Sequence, residues 1–187
     1  SELDVLTGCE IDFSTLIFAR PFTPFDPSSI SFLHDLGNCL IKDSRSKIYP
    51  DVQSFAFWCS NNNLRQLSDR HLKDIVRFGK GIVFHIAPNN VPVNFAYSLA
   101  AGILTGNVNI VRVPSNLHPQ IEIIVDAIKS LVNESNHSWI RERLFVVRYG
   151  HQKAITDFLS ANCDVRIIWG GDEAIANIRL SPLSAKA

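Results

Sequence analysis

Short continuous apolar runs alternate with longer, periodically apolar segments through the second half of this chain. A continuous apolar run of strand length is typical of a strand covered on both faces. Apolar positions that recur every three or four residues, as at Ile121, Ile124, Val125 and Ile128, instead give a helix one buried stripe. The runs that predict strands are GIVFHIA (81–87), NVNIVRV (107–113), RLFVVRY (143–149) and DVRIIWGG (164–171). The segments that predict helices are VPVNFAYSLAAGIL, HPQIEIIVDAIKSLVN, HQKAITDFLS and DEAIANIRL.

This alternation predicts an α/β fold with a doubly wound parallel sheet, because parallel neighbours need right-handed helical crossovers between them. Pro92 suits the first turn of the helix after the first strand, where its missing N–H is not needed. Sheets of this kind bind ligands beyond the carboxyl ends of their strands. The loops that follow those ends are APNNVP (87–92), RVPSNLHP (112–119), RYGH (148–151) and WGGDEA (169–174).

The first eighty residues predict a mainly helical region. PFTPFDP resists regular structure because of its three prolines, and it ends an entry segment that lies on the rest of the protein. Three helices are predicted to follow: ISFLHDLGNCLI with a cap from Ser28 or Ser29, DVQSFAFWCSNNNLRQL, and SDRHLKDIVRFG with a cap from Ser68. We therefore divide the chain into residues 1–80, an N-terminal extension with helices that pack on the sheet, and residues 81–187, the α/β layer.

Composition narrows the function classes. A chain of 187 residues is long enough to bury a hydrophobic core without stabilising disulfides or metal ions. Its 18 acidic and 18 basic residues create no positive field for nucleic acid or an anionic membrane surface. No leader and no apolar run of transmembrane length is evident, so we expect a cytoplasmic protein. Cys9, Cys39, Cys59 and Cys163 are too scattered for a zinc or redox motif, which predicts reduced thiols and no metal. The lack of methionine suggests a trimmed product.

Two of the four loops each support two interpretations. In WGGDEA, Gly170 and Gly171 could let the backbone approach a phosphate at a helix start, or could form a tight turn that Asp172 caps. In RVPSNLHP, Arg112 could bind a phosphate or ribose together with Ser115. Alternatively, Arg112 extends into solvent and Ser115 caps the next helix.

The first loop fixes Asn90 between two prolines. Pro88 and Pro92 restrict the backbone on either side, so the Asn90 amide acts from a rigid support. A rigid amide at the carboxyl edge of a parallel sheet is suited to donate to an oxyanion that develops during attack on a carbonyl. Asparagines also serve simply to satisfy backbone groups in turns. The residues alone leave both interpretations open.

Taken together, the loops resemble the cofactor-binding half of the aldehyde dehydrogenase superfamily. The resemblance is carried by GIVFHIAPNNVPVNFAYSLAAGILTGNVNIVRVPSNLHP (81–119) and VRIIWGGDEAIANIR (165–179). It is closest to the fatty acyl-CoA reductases of the bacterial luminescence type, the LuxC family. NNVP and GNVNIVRVPS are its specific parts, and WGG supports them. The resemblance implies an aldehyde dehydrogenase-like, Rossmann-type layer over residues 81–187 that binds NADP and stops before the catalytic domain.

The same resemblance implies roles for individual residues. Asn90 matches an asparagine that stabilises the tetrahedral intermediate. Arg112 stands where the superfamily usually has a lysine that contacts the adenosine ribose or its phosphate, and Ser115 stands where NAD-preferring members commonly have a glutamate. Because that glutamate would repel a 2′-phosphate, NADPH is implied rather than NADH. Ile175 replaces a further glycine of the family pattern, so the pyrophosphate contact departs from it. The implied cofactor-binding residues are Ala87, Pro88, Arg112, Pro114, Ser115, Gly150, Gly170 and Gly171.

The implied activity is the reduction of an acyl-CoA or acyl-protein thioester to an aldehyde. A cysteine thiolate takes the acyl group, and hydride from the nicotinamide then releases the aldehyde. None of the four cysteines matches that nucleophile, and Cys163 is interpreted as a structural thiol, so the chain alone is expected to be inactive. Phe95, Tyr97 and Trp169 are expected to pack in the core.

Two alternative functions stay open. One is a non-catalytic α/β domain that docks a partner, such as the acyl-transferring protein synthetase with which the luminescence-type reductases work. The other is a dehydrogenase of a semialdehyde or a phosphorylated aldehyde. The sequence is compatible with an oligomer.

Overall fold

The computed structural model describes residues 3–7, 10–71 and 76–185. Strands and helices alternate strictly after residue 81, as the apolar pattern predicts, and helices dominate before it. In chain order, the elements are β1 (Asp4–Val5), α1 (Phe13–Leu16), α2 (Pro27–Lys42), α3 (Pro50–Trp58), α4 (Asn61–His71), β2 (Ile82–Ile86), α5 (Asn94–Leu104), β3 (Val108–Val113), α6 (Pro119–Val132), β4 (Leu144–Arg148), α7 (Lys153–Ala161), β5 (Val165–Ile168) and α8 (Asp172–Arg179), with 3₁₀ turns at Ser44–Ile48 and Ser135–Ile140.

The sheet has the strand order β1-β4-β3-β2-β5. Strands β2 to β5 run parallel, and β1 pairs antiparallel with β4, with Asp4 opposite Arg148. The chain builds the sheet outward from β2 through β3 to β4 and then crosses back to place β5 on the other side of β2. The strand order therefore reverses between β2 and β5, and a crevice opens there at the carboxyl ends of the strands.

Apolar side chains form one cluster on each face of the sheet. One cluster joins Val111 and Val113 of β3 to the helices α2, α3, α5 and α6. The other joins Val108 and Ile110 of the same strand to α1 and α7. Because successive residues of a strand point to opposite faces, these pairs show that helices cover both sides of the layer. The predicted doubly wound α/β fold is confirmed. The division at residue 80 stays a prediction, although the helices before it share the first cluster with the sheet.

Several predicted helix boundaries are wrong. Helix α2 begins at Pro27, and its cap is Asp26, whose carboxylate accepts from the backbone N–H of Ser28 at 2.9 Å, so neither serine caps it. Proline at the first helical position suits this earlier start. The second predicted helix is broken at Cys59, where the Asn63 amide donates to the carbonyl of Trp58 at 2.7 Å and turns the chain.

Ser68 lies inside α4 and caps nothing, because the helix that begins at Asn61 continues through it to His71. Of the predicted third helix, residues 72–75 lie outside the described part of the chain, as does Cys9, and residues 76–80 are not helical. Pro92 lies in a turn before α5 and not in its first helical turn. That turn is closed by the backbone N–H of Asn94, which donates to the carbonyl of Val91 at 3.1 Å.

Candidate functional site

The four predicted loops converge at the carboxyl edge of the sheet. The backbone N–H of Ala87 donates to the carbonyl of Arg112 at 3.1 Å, which joins the first loop to the second. The N–H of Trp169 donates to the carbonyl of Ile86 at 3.0 Å, which ties the fourth loop to the strand that leads into the first. Arg112 Nη2 donates to the carbonyl of Gly150 at 2.9 Å, which joins the second loop to the third. The loops therefore form one continuous rim around the crevice.

Arg112 is held within this rim and does not extend freely into solvent. Its guanidinium lies 4.5 Å above the centroid of the Tyr149 ring, so a cation–π contact adds to the bond with Gly150. Burial, as the largest effect, raises the pKa of the Tyr149 hydroxyl, which keeps that ring neutral beneath the cation. Ser115 is exposed on the same loop and does not cap the next helix, because α6 begins at Pro119 without a side-chain cap. The alternative of a solvated Arg112 and a capping Ser115 is thus excluded.

Asn90 lies on the exposed bend between Pro88 and Pro92. Within the described part of the chain, its side-chain amide makes no hydrogen bond, so the amide is not used to close the turn. The residue that follows it, Val91, lines a cavity together with Asn94. The Asn90 amide is therefore not engaged by the described chain, and its neighbour Val91 borders the cavity.

At Gly171, neither the backbone conformation nor the packing requires a glycine. Its φ of −73° and ψ of 165° are available to any residue, and a Cβ placed on it would meet no protein atom within 4 Å. Helix α8 begins directly after it, with no side-chain cap, so the predicted cap from Asp172 is wrong. Asp172 and Glu173 occupy the first turn and oppose an anion at this helix end. Gly171 thus offers close backbone approach, whereas the first turn of α8 contributes negative charge.

A buried hydrogen-bond relay supports the fourth loop from below. Trp169 Nε1 donates to Ser98 Oγ at 3.0 Å, and the Ser98 hydroxyl donates to His85 Nδ1 at 2.8 Å. His85 Nε2 donates to Asn109 Oδ1 at 3.0 Å, and Asn109 Nδ2 donates to the carbonyl of Asn107 at 3.0 Å. The Asn107 carbonyl can only accept, so Asn109 presents its Oδ1 to His85, and His85 Nε2 must donate. Because the imidazole is neutral, its Nδ1 then accepts from Ser98. Burial lowers the pKa of His85 to about 4, and the imidazole is neutral at pH 7.

Two cavities flank α5 on the face of the sheet that carries α2 and α3. The carboxyl-edge cavity has a volume of about 650 Å³ and is lined by Asp51, Ser54, Val91, Val93, Asn94, Tyr97, Ser98, Ala101, Ile167 and Trp169. The amino-edge cavity has a volume of about 580 Å³ and lies toward the other ends of the strands, where Lys80, Asn107 and Val165 contribute to its lining.

Of the aromatic residues predicted to pack in the core, only Phe95 is fully buried. Tyr97 is half-buried and lines the carboxyl-edge cavity, and Trp169 is 45% exposed at its wall. The prediction is wrong for Trp169 because the Ser98 bond holds its indole at the cavity and away from the core. Sequence reasoning also missed Ser98, His85 and Asn109. The signal was present, since His85 and Asn109 are polar residues within predicted strands that are mostly apolar.

None of the described cysteines is an activated nucleophile. Cys59 and Cys163 are buried, and Cys39 is half-buried. Burial raises the pKa of all three thiols, and that of Cys59 reaches about 12. Activation requires the opposite shift, toward the thiolate. The Cys163 thiol instead donates to the carbonyl of Ser160 at 3.3 Å, as expected of a thiol with a packing role.

Solved structures of similar fold come from aldehyde dehydrogenases. An aldehyde dehydrogenase from Bacillus cereus, in complex with NAD+, superposes with a TM-score of 0.60 at 12% identity over 90% of this chain and 40% of its own. An NAD-dependent benzaldehyde dehydrogenase from Corynebacterium glutamicum superposes with a TM-score of 0.61 at 15% identity over 92% of this chain and 44% of its own. At such identities the likeness concerns the fold. The chain spans about two fifths of the length of these proteins.

No described helix has both the length and the apolarity needed to cross a membrane.

Sequence comparisons identify the family of the chain. No curated protein matches the chain. The family model described as acyl-CoA reductase (LuxC) matches residues 48–187, which include the whole parallel sheet and the four loops. Since this match covers well over half of the sequence, the chain belongs to the acyl-CoA reductase (LuxC) family.

Proposed function

We propose that this chain is the cofactor-binding part of an NADPH-dependent reductase that converts an acyl thioester, acyl-CoA or acyl-protein, to an aldehyde. The observation that carries the proposal is the free amide of Asn90, which lies between two prolines near the point where the strand order reverses and directly precedes Val91, a residue that lines the carboxyl-edge cavity. An amide donor placed there can stabilise the oxyanion that forms on the thioester carbonyl. The apolar cavity beside it can receive the acyl group.

The residues of the rim fit a nicotinamide dinucleotide. The open space at Gly171 lets a pyrophosphate approach the backbone, against the opposing charge of Asp172 and Glu173 in the first turn of α8. Gly170, Ala87, Pro88 and Gly150 lie on the same rim. Arg112, with Ser115 and Pro114 on its loop, would hold the adenosine ribose. Arg112 is fixed by Tyr149 and Gly150, and Ser115 brings no negative charge. That combination favours the additional phosphate of NADPH. When bound, the reduced nicotinamide supplies hydride to the acyl carbon.

The chain's own part in this reaction is binding, orientation and exclusion of water. Trp169 and Tyr97 shield the carbonyl region of the carboxyl-edge cavity, and the Ser98 bond keeps the indole in place. The thiolate that takes the acyl group is supplied by polypeptide outside these residues, because the described thiols have raised pKa values. The chain alone therefore binds cofactor without turnover. Its three described free cysteines accord with a cytoplasmic location.

Isothermal titration calorimetry tests the cofactor and its phosphate. We expect the chain to bind NADPH more tightly than NADH, and Ser115→Glu to lower the ratio of the two affinities at least tenfold, roughly 1.4 kcal/mol or more, through repulsion of the 2′-phosphate. Ser115→Gln is the matched control, because it adds similar bulk without charge. Absence of heat with either nucleotide on a folded sample would refute the cofactor assignment, and an unchanged ratio would remove Ser115 from the 2′-position.

Alanine at Gly171 tests the pyrophosphate contact. Because its Cβ meets no protein atom and its backbone angles suit alanine, we expect an unchanged melting temperature. The same methyl group should weaken NADPH binding about tenfold by keeping the backbone from the phosphates. Ala176→Ser, on the exposed surface of α8, serves as the control. If Gly171→Ala binds NADPH as the wild type does, the dinucleotide passes elsewhere.

One observation favours a second function, that of a docking domain. Within the described residues, β5 pairs only with β2, so its other edge has free backbone groups, and all four of its residues are partly exposed. Such an edge can accept a strand from a partner, for example an acyl-transferring synthetase or another copy of the chain. Binding of a partner without binding of NADPH would favour this function over the first.

A further inference from the structure

The carboxyl-edge cavity contains a negative charge that the described chain does not neutralise. Among the described residues that line this cavity, only Asp51 has a charged side chain. Its carboxylate accepts from the backbone N–H of Val52 at 3.0 Å and from Gln120 Nε2 at 3.4 Å, and both donors are neutral. Within the described part of the chain, Asp51 forms no ion pair. The wall of the cavity therefore carries a net negative charge.

Two aromatic rings line the same cavity. Trp169 is 45% exposed, and the bond from its Nε1 to Ser98 fixes the orientation of the indole. The Tyr97 ring is held by edge contacts with two neighbouring rings, at centroid distances of 5.0 and 5.6 Å. The faces of aromatic rings attract cations, and a carboxylate on the same wall adds to that attraction. An organic cation with a flat ring is the class of ligand that fits these groups.

The position of Trp169 on the rim indicates which cation this is. Trp169 precedes Gly171 by two positions, at most about 7 Å of chain. In the proposed function, Gly171 meets the pyrophosphate of the dinucleotide and Arg112 meets its adenosine ribose. A single ribose separates that pyrophosphate from the nicotinamide ring, so the ring reaches Trp169. Because Val91, which follows Asn90, lines the same cavity, the ring also lies near the proposed thioester.

The charge of the nicotinamide ring changes during the reaction. Transfer of a hydride reduces the acyl carbon to the aldehyde, expels the thiolate and leaves one positive charge on the ring that gave the hydride. The reduced ring is neutral, so the carboxylate and the aromatic faces favour only the oxidised ring. The two binding affinities and the transfer equilibrium form one thermodynamic cycle. Tighter binding of the oxidised form therefore makes the bound reduced form a stronger hydride donor.

We propose that Asp51, Tyr97 and Trp169 form a cation site that binds the oxidised nicotinamide ring more tightly than the reduced ring and so favours transfer of hydride to the acyl carbon. The indole of Trp169 stacks on the ring, and Asp51 supplies the opposite charge. Ser98 is a positioning residue, because it acts through the indole that it holds. This inference rests on the proposed function, which places the dinucleotide along the rim.

Titration calorimetry with NADP+ and NADPH measures the preference for the oxidised ring. The wild type should bind NADP+ about tenfold more tightly than NADPH. In Asp51→Asn, which keeps an oxygen for the Val52 N–H, the ratio of the two affinities should fall below about threefold. Asp69→Asn removes the same charge from an exposed position of α4 that lines neither cavity beside α5, and it should retain the ratio. Equal affinities in the wild type, or an unchanged ratio in Asp51→Asn, would overturn the proposal.

A charge-transfer absorption band identifies the ring that meets the nicotinamide. Indole donates electron density to the oxidised nicotinamide ring on stacking, which produces a broad band at longer wavelength than either ring absorbs alone. NADP+ should produce this band in the wild type, and NADPH should not. The band should disappear in Trp169→Phe, weaken in Ser98→Ala, and persist in Trp58→Phe, whose ring lines the amino-edge cavity. Bound NADP+ without a band, or a band that survives in Trp169→Phe, would refute the stacking.

Nicotinamide methylated on its ring nitrogen separates this inference from the proposed function. It has the cationic ring without ribose or phosphate, and neutral nicotinamide is its matched control. If NADPH binds and NADP+ binds no more tightly, the cation site is refuted and the cofactor-binding function stands. If neither dinucleotide binds, the proposed function is refuted. In that case, binding of the methylated ring to the wild type but not to Asp51→Asn would support the cation site, and absence of binding would refute the site as well.

Discussion

Gly102→Ala is expected to lower the free energy of unfolding by roughly 3 kcal/mol. Gly102 lies inside α5, where helix propensity alone would favour alanine by about 1 kcal/mol. A Cβ at this position, however, would overlap Asn109 Oδ1 and come within 3.0 Å of His85 Nε2. Asn109 would have to leave its buried hydrogen bond with His85. The resulting unsatisfied polar group destabilises the fold by more than the higher helix propensity of alanine stabilises it.

Unfolding in urea, followed by fluorescence, measures this effect, and a double-mutant cycle identifies its cause. If the overlap with Asn109 is responsible, Gly102→Ala should cost much less in an Asn109→Ala background, where the overlapping atom is absent. Gly171→Ala is the matched control, because its methyl group meets no protein atom. Stabilisation by Gly102→Ala would show that propensity outweighs the relay.

The parallel part of the sheet could be predicted because the residues of each strand indicate on their own that the strand is buried. GIVFHIA is apolar at nearly every position and NVNIVRV at four of its seven positions, which favours cover on both faces, and β2 and β3 are buried along almost their whole length. The order of strands and helices then follows from the chain alone. Strand β1 could not be predicted, since two residues carry no period and its pairing with Arg148 spans most of the chain.

The predicted helix boundaries were wrong where a side chain forms a hydrogen bond with the backbone at a helix end. Asp26 caps α2 because it lies directly before Pro27, and the serines that follow are the more obvious candidates only if the proline is ignored. The break after Trp58 depends on one amide of Asn63 that returns to a helix-end carbonyl. Both are single hydrogen bonds of the kind that local propensity does not resolve.

The location of the candidate site could be predicted from the sequence, but the buried hydrogen bonds that hold Trp169 at the site could not. The four loops follow from the strand ends, and the structure joins them through backbone bonds and Arg112. The relay that holds Trp169 depends on the pairing of β2 with β3 and on the turn of α5 over them, which bring Ser98, His85 and Asn109 together from three elements. No local pattern specifies that meeting. The roles of Asn90 and the rim residues stay predictions.

His85 is expected to make the fold sensitive to mild acid. Its pKa in the folded chain is about 4, below its ordinary value of 6.5, because burial disfavours the imidazolium. Between these two pH values the unfolded chain binds a proton that the folded chain excludes. The contribution of His85 is therefore complete above pH 6.5 and is lost as the pH falls toward 4. Its size is on the order of 3 kcal/mol, since each pKa unit corresponds to about 1.4 kcal/mol.

Urea unfolding across this pH range, with His85→Asn as the comparison, isolates that contribution. The variant should be less stable than the wild type at pH 7, because Ser98 and Asn109 lose their shared partner. Between pH 6.5 and pH 4, the free energy of unfolding of the variant should fall less steeply than that of the wild type. The two slopes should differ by the binding of one proton, roughly 1.4 kcal/mol per pH unit. The carboxylates of Asp12, Asp43 and Asp157 have lowered pKa values and contribute equally to both proteins, so they cancel in the comparison. An identical slope in the variant would show that the acid sensitivity lies in other groups and that His85 already binds its proton in the folded chain.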